Sequence, residues 1–167
     1  VMQDPDDQLF SADVRSDIGY GPTNLGLGAA ETASRVDEAL AVLSLEELAD
    51  RPVHQLSFGQ RRRVAVAGAL AMHPQVLLLD EPTAGLDPAG VEEMLAAVAA
   101  LEAHGTTVVL STHDVDLAWR WADEVALVVD HVVHQGEVTD ALTDVDLVEA
   151  ARLRPPWSVQ LLSLIHI

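Results

Sequence analysis

The stretch "VLLLDEPTAGLD", residues 76–87, constrains the fold more than any other part of the chain. Its apolar run has no polar alternation, which suits a strand buried on both faces, as in a parallel sheet covered by helices. Two carboxylates, Asp80 and Glu81, follow at once. They fall at the C-terminal edge of the sheet, where α/β folds bind their ligands. Adjacent carboxylates are costly unless a cation or a proton lies between them. Mg²⁺, held by one or two carboxylates plus phosphate oxygens, suits such a pair. Glu81 is then left to polarise a water. The plain alternative is a solvated acidic strand end, and this segment alone leaves both open.

The flanking elements support a layered α/β fold. Ser57 predicts the N-cap of a helix running to about Met72, stopped by His73-Pro74. Asp87-Pro88 opens another, with Asp at N-cap and Pro at the first helical position. Val91, Leu95, Val98 and Leu101 form its expected inner stripe, and Gly105 closes it. Thr106–Leu110 predicts a second buried strand, Asp114 caps a helix to about Ala122, and Val125–Val129 predicts a third strand. His131–Val138 reads as a hairpin turning at Gly136, and Asp144–Arg152 as a last helix before Pro155-Pro156. Upstream, Pro5, Gly19, Gly21, Pro22, Gly26 and Gly28 predict an irregular, exposed segment with short helical pieces over residues 1–28. Val36, Ala39, Leu40 and Leu43 keep a helical stripe, and a second short helix is expected over Ser44–Ala49. The order predicts an α/β domain with a mostly parallel sheet flanked by helices, plus a small helical subdomain.

Composition narrows the function classes. All nine basic residues are Arg, and the net charge is −18. Phosphate contacts along a nucleic acid need Lys and Arg, so non-specific nucleic-acid binding is disfavoured. The absence of cysteine excludes disulfides and Cys-based metal or redox sites. The longest uncharged run, Val64–Leu79, is broken by His73-Pro74 and is too short to span a bilayer.

Three further motifs surround the acidic pair: "LSFGQ" at 56–60 before it, "AGLD" at 84–87 after it, and "STHD" at 111–114 on the next strand. A His at the edge of a neighbouring strand is a candidate for contacting a phosphate. Ser57, the Gly59 N–H and the positive end of the helix that follows suit an anion. Together these residues resemble the ATP-binding cassette (ABC) family over nearly all of residues 1–140, and so a partial P-loop NTPase domain. "LSFGQ" resembles its signature motif, "LLLDEP" its Walker B strand, "AGLD" its D-loop, and "MQDPDDQLF" its Q-loop.

The resemblance implies ATP and Mg²⁺ as cofactors. It makes Asp80 a Mg²⁺ ligand, Glu81 the general base and His113 the switch histidine that touches the γ-phosphate. Gln3 links Mg²⁺ and water to a transport subunit, and Asp87 senses the other half of a dimer. Ser57, Phe58, Gly59 and Gln60 face the nucleotide of the opposite subunit. The implied partners are a second ATPase subunit, identical or not, and a transmembrane coupling subunit, with the protein peripheral on the cytoplasmic face. "QDPDDQLFSADVRSDIGYGPTNLGL", Phe58 and "ARLRPPW" look like the cobalt/nickel and energy-coupling-factor vitamin importers.

The resemblance divides the chain into residues 1–56 (Q-loop and helical subdomain), 57–140 (catalytic α/β core) and 141–167 (C-terminal helix and tail). The family's P-loop, G-x-x-x-x-G-K-[ST], cannot occur in a chain without lysine. Val1 is therefore expected to be an internal residue of a longer protein, and this chain alone is expected not to hydrolyse ATP. The tail "LLSLIHI" reads as a buried terminal helix or as a truncation or non-native read-through, the latter preferred. A soluble repair or ribosome ATPase without a membrane partner is the alternative, disfavoured by residues 4–28, which suit docking of a membrane subunit. His131 and His134, three apart on a hairpin, read as solvated residues rather than metal ligands. Arg61–Arg63 are expected to pair with acidic residues or face a phosphate.

Overall fold

The computed structural model describes residues 1–165, with side chains described through Leu161. The chain forms two compact units, residues 1–111 and 112–167.

In the first unit, helix α1 spans Val14–Asn24 and α2 spans Ala29–Val42. The turn-rich segment, expected to be irregular and exposed with short helical pieces, holds instead an ordered, partly buried three-turn helix. Asp13 caps it, accepting the Ser16 N–H at 2.8 Å, and Val14 and Ile18 are completely buried. Its glycines serve close packing rather than turning. A Cβ on Gly19 would stand 3.4 Å from Val36 of α2, and one on Gly21 only 2.9 Å from the Met72 side chain. The expected stripe of α2 is inside: Val36, Ala39, Leu40 and Leu43 are all buried. The short helix expected near Ser44–Ala49 is a single 3-10 turn, Glu46–Leu48.

Helix α3, Phe58–Leu70, starts where Ser57 predicts. Ser57 and Gln60 form a reciprocal capping box, satisfying two backbone donors that a helix start otherwise leaves bare. Strand β1 (Val76–Asp80) pairs in parallel with β2 (Thr107–Ser111), setting Asp80 opposite Ser111. Helix α4, Pro88–Ala103, connects them and packs against β2. Asp87 caps α4 through the Gly90 N–H at 2.8 Å, and Gly105 takes the left-handed φ of 86° that ends it. The inner face of α4 is Met94, Ala97, Val98 and Leu101, whereas Val91 and Leu95 are only half-buried. Burial on both faces of the strands is not found. Leu77 and Leu79 are buried, while Val76, Leu78 and Val109 are exposed. An apolar run states that a strand tolerates burial; it does not supply the layer that would cover each face.

In the second unit, Asp114 caps α5 (Val115–Trp121) through the Leu117 N–H at 3.0 Å. Strand β3 (Glu124–Val129) pairs antiparallel with β4 (Val132–Glu137), so the third strand is one arm of a hairpin. Its turn is Asp130–His131, with φ of 47° and 67°, not Gly136, which lies within β4 opposite Val125. Consecutive left-handed residues make the tight turn that matches strand twist, and Asp tolerates that conformation. Helices α6 (Val138–Thr143) and α7 (Val145–Ala150) follow, the latter capped by Asp144. Val115, Leu127, Leu142 and Val148 form the core of this unit. The backbone is helical over Trp157–Ile165 (α8); the remainder of the "LLSLIHI" tail and its side chains lie outside the described residues.

Candidate active site

The site is built where β1 ends. The Val1 amine donates to the Leu78 carbonyl at 2.6 Å, and the Asp80 N–H donates to the Val1 carbonyl at 3.1 Å. That exchange is the pattern of a parallel ladder. It lays the chain start alongside β1, so Gln3 arrives at the strand end carrying Asp80 and Glu81. Across the β1–β2 register, the Ser111 hydroxyl donates to Asp80 Oδ1 at 2.5 Å. The Glu81 N–H donates to the Ser111 carbonyl at 3.0 Å. Glu81 has a left-handed φ of 44°, uncommon for a residue with a side chain and frequent at functional turns.

The three arginines of α3 have three different tasks. Arg61 forms an ion pair with Asp6 at 2.8 Å and donates to the Leu56 carbonyl at 2.7 Å. Arg63 pairs with Glu93 of α4 at 3.1 Å. These two pair with acidic residues, as the composition leads one to expect. Arg62 does not; its side chain turns inward and is 2% exposed. Nη1 donates to the carbonyls of Glu81 at 2.5 Å and Ala84 at 3.1 Å, and Nη2 donates to the Gln3 carbonyl. Burial pushes its pKa below the usual guanidinium value, opposed by the charges of Asp4, Glu81 and Asp80. The Phe58 ring lies 5.2 Å from the guanidinium carbon, within cation–π range.

The start of α3 also packs against the 84–87 turn. Gly85, with φ of 75°, has space for a Cβ only at 3.5 Å from the Phe58 ring, and Gly59 faces Leu86 at the same distance. Ser57 Oγ accepts the Gln60 N–H at 3.2 Å and keeps its own hydroxyl proton as a donor. The Phe58 and Gly59 N–H groups lie in the first turn, where no intrahelical acceptor exists. The 2–11 segment is tied down from two sides. Gln8 accepts the Met2 N–H at 3.2 Å and donates to the Ala65 carbonyl at 3.0 Å. Buried Asp17 of α1 accepts the N–H groups of Phe10 and Ser11 at 3.0 and 2.8 Å.

Gln3, Ser57, Phe58, Gly59, Gln60, Asp80, Glu81 and Asp87 all belong to the first unit. His113 belongs to the second, where it is exposed and lines an open groove with Arg152, Arg154 and Trp157. His131 and His134 are exposed. Among the described residues, no group of three or more metal-ligating side chains occurs. One carboxylate with a hydroxyl beside it is nonetheless an oxygen-only donor set, and it fits Mg²⁺, which retains waters and phosphate oxygens instead of demanding a full protein cage. Sequence reasoning missed Arg62, Ser111, Gln8 and Asp17. No local signal marks Arg62, which sits in an unbroken run of three arginines; only the fold shows which of them faces inward.

The chain is similar to known proteins over nearly its whole length. The ABC transporter family model matches residues 1–84. The chain is 54% identical over 162 residues to the cobalt import ATP-binding protein CbiO of Rhodobacter capsulatus, covering 96% of this chain and 58% of that protein. It is 42% identical over 167 residues to the energy-coupling factor transporter ATP-binding protein EcfA of Methanocaldococcus jannaschii, covering 99% and 60%. Among solved structures, cbiO1 of Clostridium perfringens, described as part of the ABC transporter complex cbiONQ, superposes with a TM-score of 0.79 at 42% identity, covering 96% of this chain and 65% of the other. The chain thus spans under two thirds of the length of each of these proteins.

Proposed function

This chain belongs to the ABC transporter family, and we propose that the protein carrying it is the ATP-hydrolysing subunit of a membrane importer for cobalt, nickel or a vitamin. The observation that carries the reading is the convergence of Gln3, Asp80 and Glu81 at the C-terminal end of β1, with Ser111 and Arg62 holding that end in place. The relatives named for cobalt import and for energy coupling support the importer class. Among the described residues no helix is long and apolar enough to cross a membrane. The proposed place of the protein is peripheral, beside a transmembrane partner at the cytoplasmic face.

The chemistry is attack of water on the γ-phosphorus of ATP, giving ADP and phosphate. Asp80 and Gln3 would hold Mg²⁺, which when bound neutralises charge on the phosphate oxygens. Glu81 accepts a proton from the attacking water and orients it. His113 donates a hydrogen bond to the γ-phosphate. Ser57 Oγ–H, the Gly59 N–H and the positive end of α3 serve the γ-phosphate of a nucleotide bound by a second ATPase subunit. Gln60 keeps that turn closed through the capping box and Phe58 seats it on the 84–87 turn, while Asp87 fixes α4 and faces the second subunit. By function the chain divides into residues 1–56, 57–140 and 141–167. Without a lysine to reach the β- and γ-phosphates, the 167-residue chain alone does not turn over ATP.

The test uses the full-length protein with its membrane partner. Glu81→Gln should lower kcat by about 10²-fold or more while ATP binding survives. Hydrolysis at the wild-type rate in Glu81→Gln would overturn the reading.

A further inference from the structure

The peptide planes on both sides of the Glu81 Cα are held. Its N–H donates to the Ser111 carbonyl at 3.0 Å. Its C=O accepts from Arg62 Nη1 at 2.5 Å and from the Ala84 N–H at 3.1 Å. Fixing both planes fixes the direction of the Cα–Cβ bond, and so where the carboxylate can reach. The left-handed φ of 44° at Glu81 makes this restraint necessary, because that conformation persists only when its surroundings enforce it.

The same guanidinium takes the carbonyls of Ala84 and Gln3. One rigid group thus joins the 3–9 segment, the end of β1 and the 84–87 turn to α3. Two other contacts fasten the 3–9 segment to α3: Arg61 with Asp6 and Gln8 with the Ala65 carbonyl. Both run to the outer part of the segment and neither reaches Glu81. Arg62 bonds the segment and the strand end together, through the Gln3 and Glu81 carbonyls. It does so at some cost: the side chain is buried, its Nε–H has no partner, and it bonds carbonyls instead of a carboxylate.

We propose that Arg62 is a positioning residue that sets the direction of the Glu81 carboxylate and transmits displacement of the 3–9 segment to it through the Gln3 and Glu81 carbonyls. Three carbonyls in fixed directions require a planar fork. A lysine ammonium in this pocket keeps the charge and cannot span all three. The inference rests on Glu81 acting as the base.

The experiment compares Arg62→Lys and Arg62→Met in the full-length protein with its membrane partner. ATP turnover and amide hydrogen exchange are both measured. Arg62→Lys should lower kcat by about tenfold or more, since small misplacements of a reacting group carry penalties of this order. KM for ATP should stay within about twofold of the wild type in Arg62→Lys, and Arg62→Met should lower kcat further. Exchange across residues 2–9 and 82–87 should rise about tenfold in both variants, with α2 unchanged. An Arg62→Lys protein with wild-type kcat, or with exchange raised equally throughout residues 1–111, would overturn the proposal. If the wild type shows no Glu81-dependent hydrolysis, the functional reading fails instead. Exchange in Arg62→Lys then still decides whether the clamp exists.

Discussion

The two turns of the candidate site are held in opposite ways. Ser57–Gln60 is self-contained. Ser57 and Gln60 satisfy each other's backbone within four residues, and the turn would keep its shape in almost any context. Asp80–Glu81 has one local tie, the Ala84 N–H donating to the Glu81 carbonyl at 3.1 Å. Its other fixed points are Val1, Ser111 and Arg62, separated from it by between 19 and 79 positions in the chain. The difference suits the two roles proposed. A surface offered to another subunit gains from being preformed. A base whose timing depends on a membrane partner gains from being held by segments that the partner can move.

Breaking the distant supports should therefore hurt more than breaking the local one. Arg62→Met should have the largest effect. Three hydrogen bonds are lost, although the Glu81 carbonyl keeps the Ala84 N–H at 3.1 Å; at about 1 kcal/mol for each, stability of the first unit should fall by about 3 kcal/mol. Denaturant unfolding followed by far-ultraviolet circular dichroism reads the loss. An effect below about 1 kcal/mol would mean that water replaces the guanidinium and that the strand end is not held from α3. Ser111→Ala should come next. It removes a hydroxyl that donates to a carboxylate at 2.5 Å; both groups are exposed, so the cost should be about 1.5 kcal/mol. The backbone ladder between Glu81 and Ser111 should survive, visible as unchanged amide protection at Glu81.

The same contrast explains which features the sequence makes legible. Ser57, Asp87 and Asp114 act as N-caps where the sequence predicts them, because a cap is decided by residues within one turn. The motif order yields the family and the acidic strand end for a similar reason. Arg62 was not legible, because nothing local distinguishes it from Arg61 and Arg63; only the fold shows which of the three faces inward. The Gly19 and Gly21 positions misled because glycine signals turns and close packing alike, and only the presence of Val36 and Met72 decides between them. The hairpin turn was misplaced on Gly136 because Asp130-His131 contains no glycine, although its left-handed pair does the turning.

The local turn offers the sharper control. Ser57→Ala should cost about 1 kcal/mol, the ordinary value of an N-cap. Its effect should combine less than additively with Gln60→Ala, because each variant breaks the same box. Neither should alter exchange at residues 82–87.

The smallest effect is expected at the outermost tie. Arg61 and Asp6 meet at 2.8 Å, but the Asp6 side chain is 63% exposed. Such pairs contribute about 0.5 kcal/mol and are screened by salt. Asp6→Asn should therefore cost at most about that much at low ionic strength and nothing measurable in molar KCl. Arg62→Met should keep its full penalty there, because its acceptors are neutral carbonyls in a buried site. Equal salt sensitivity in the two variants would erase the distinction between a surface tie and an internal clamp. It would also remove the reason for assigning the second arginine, and not the first, to the control of Glu81.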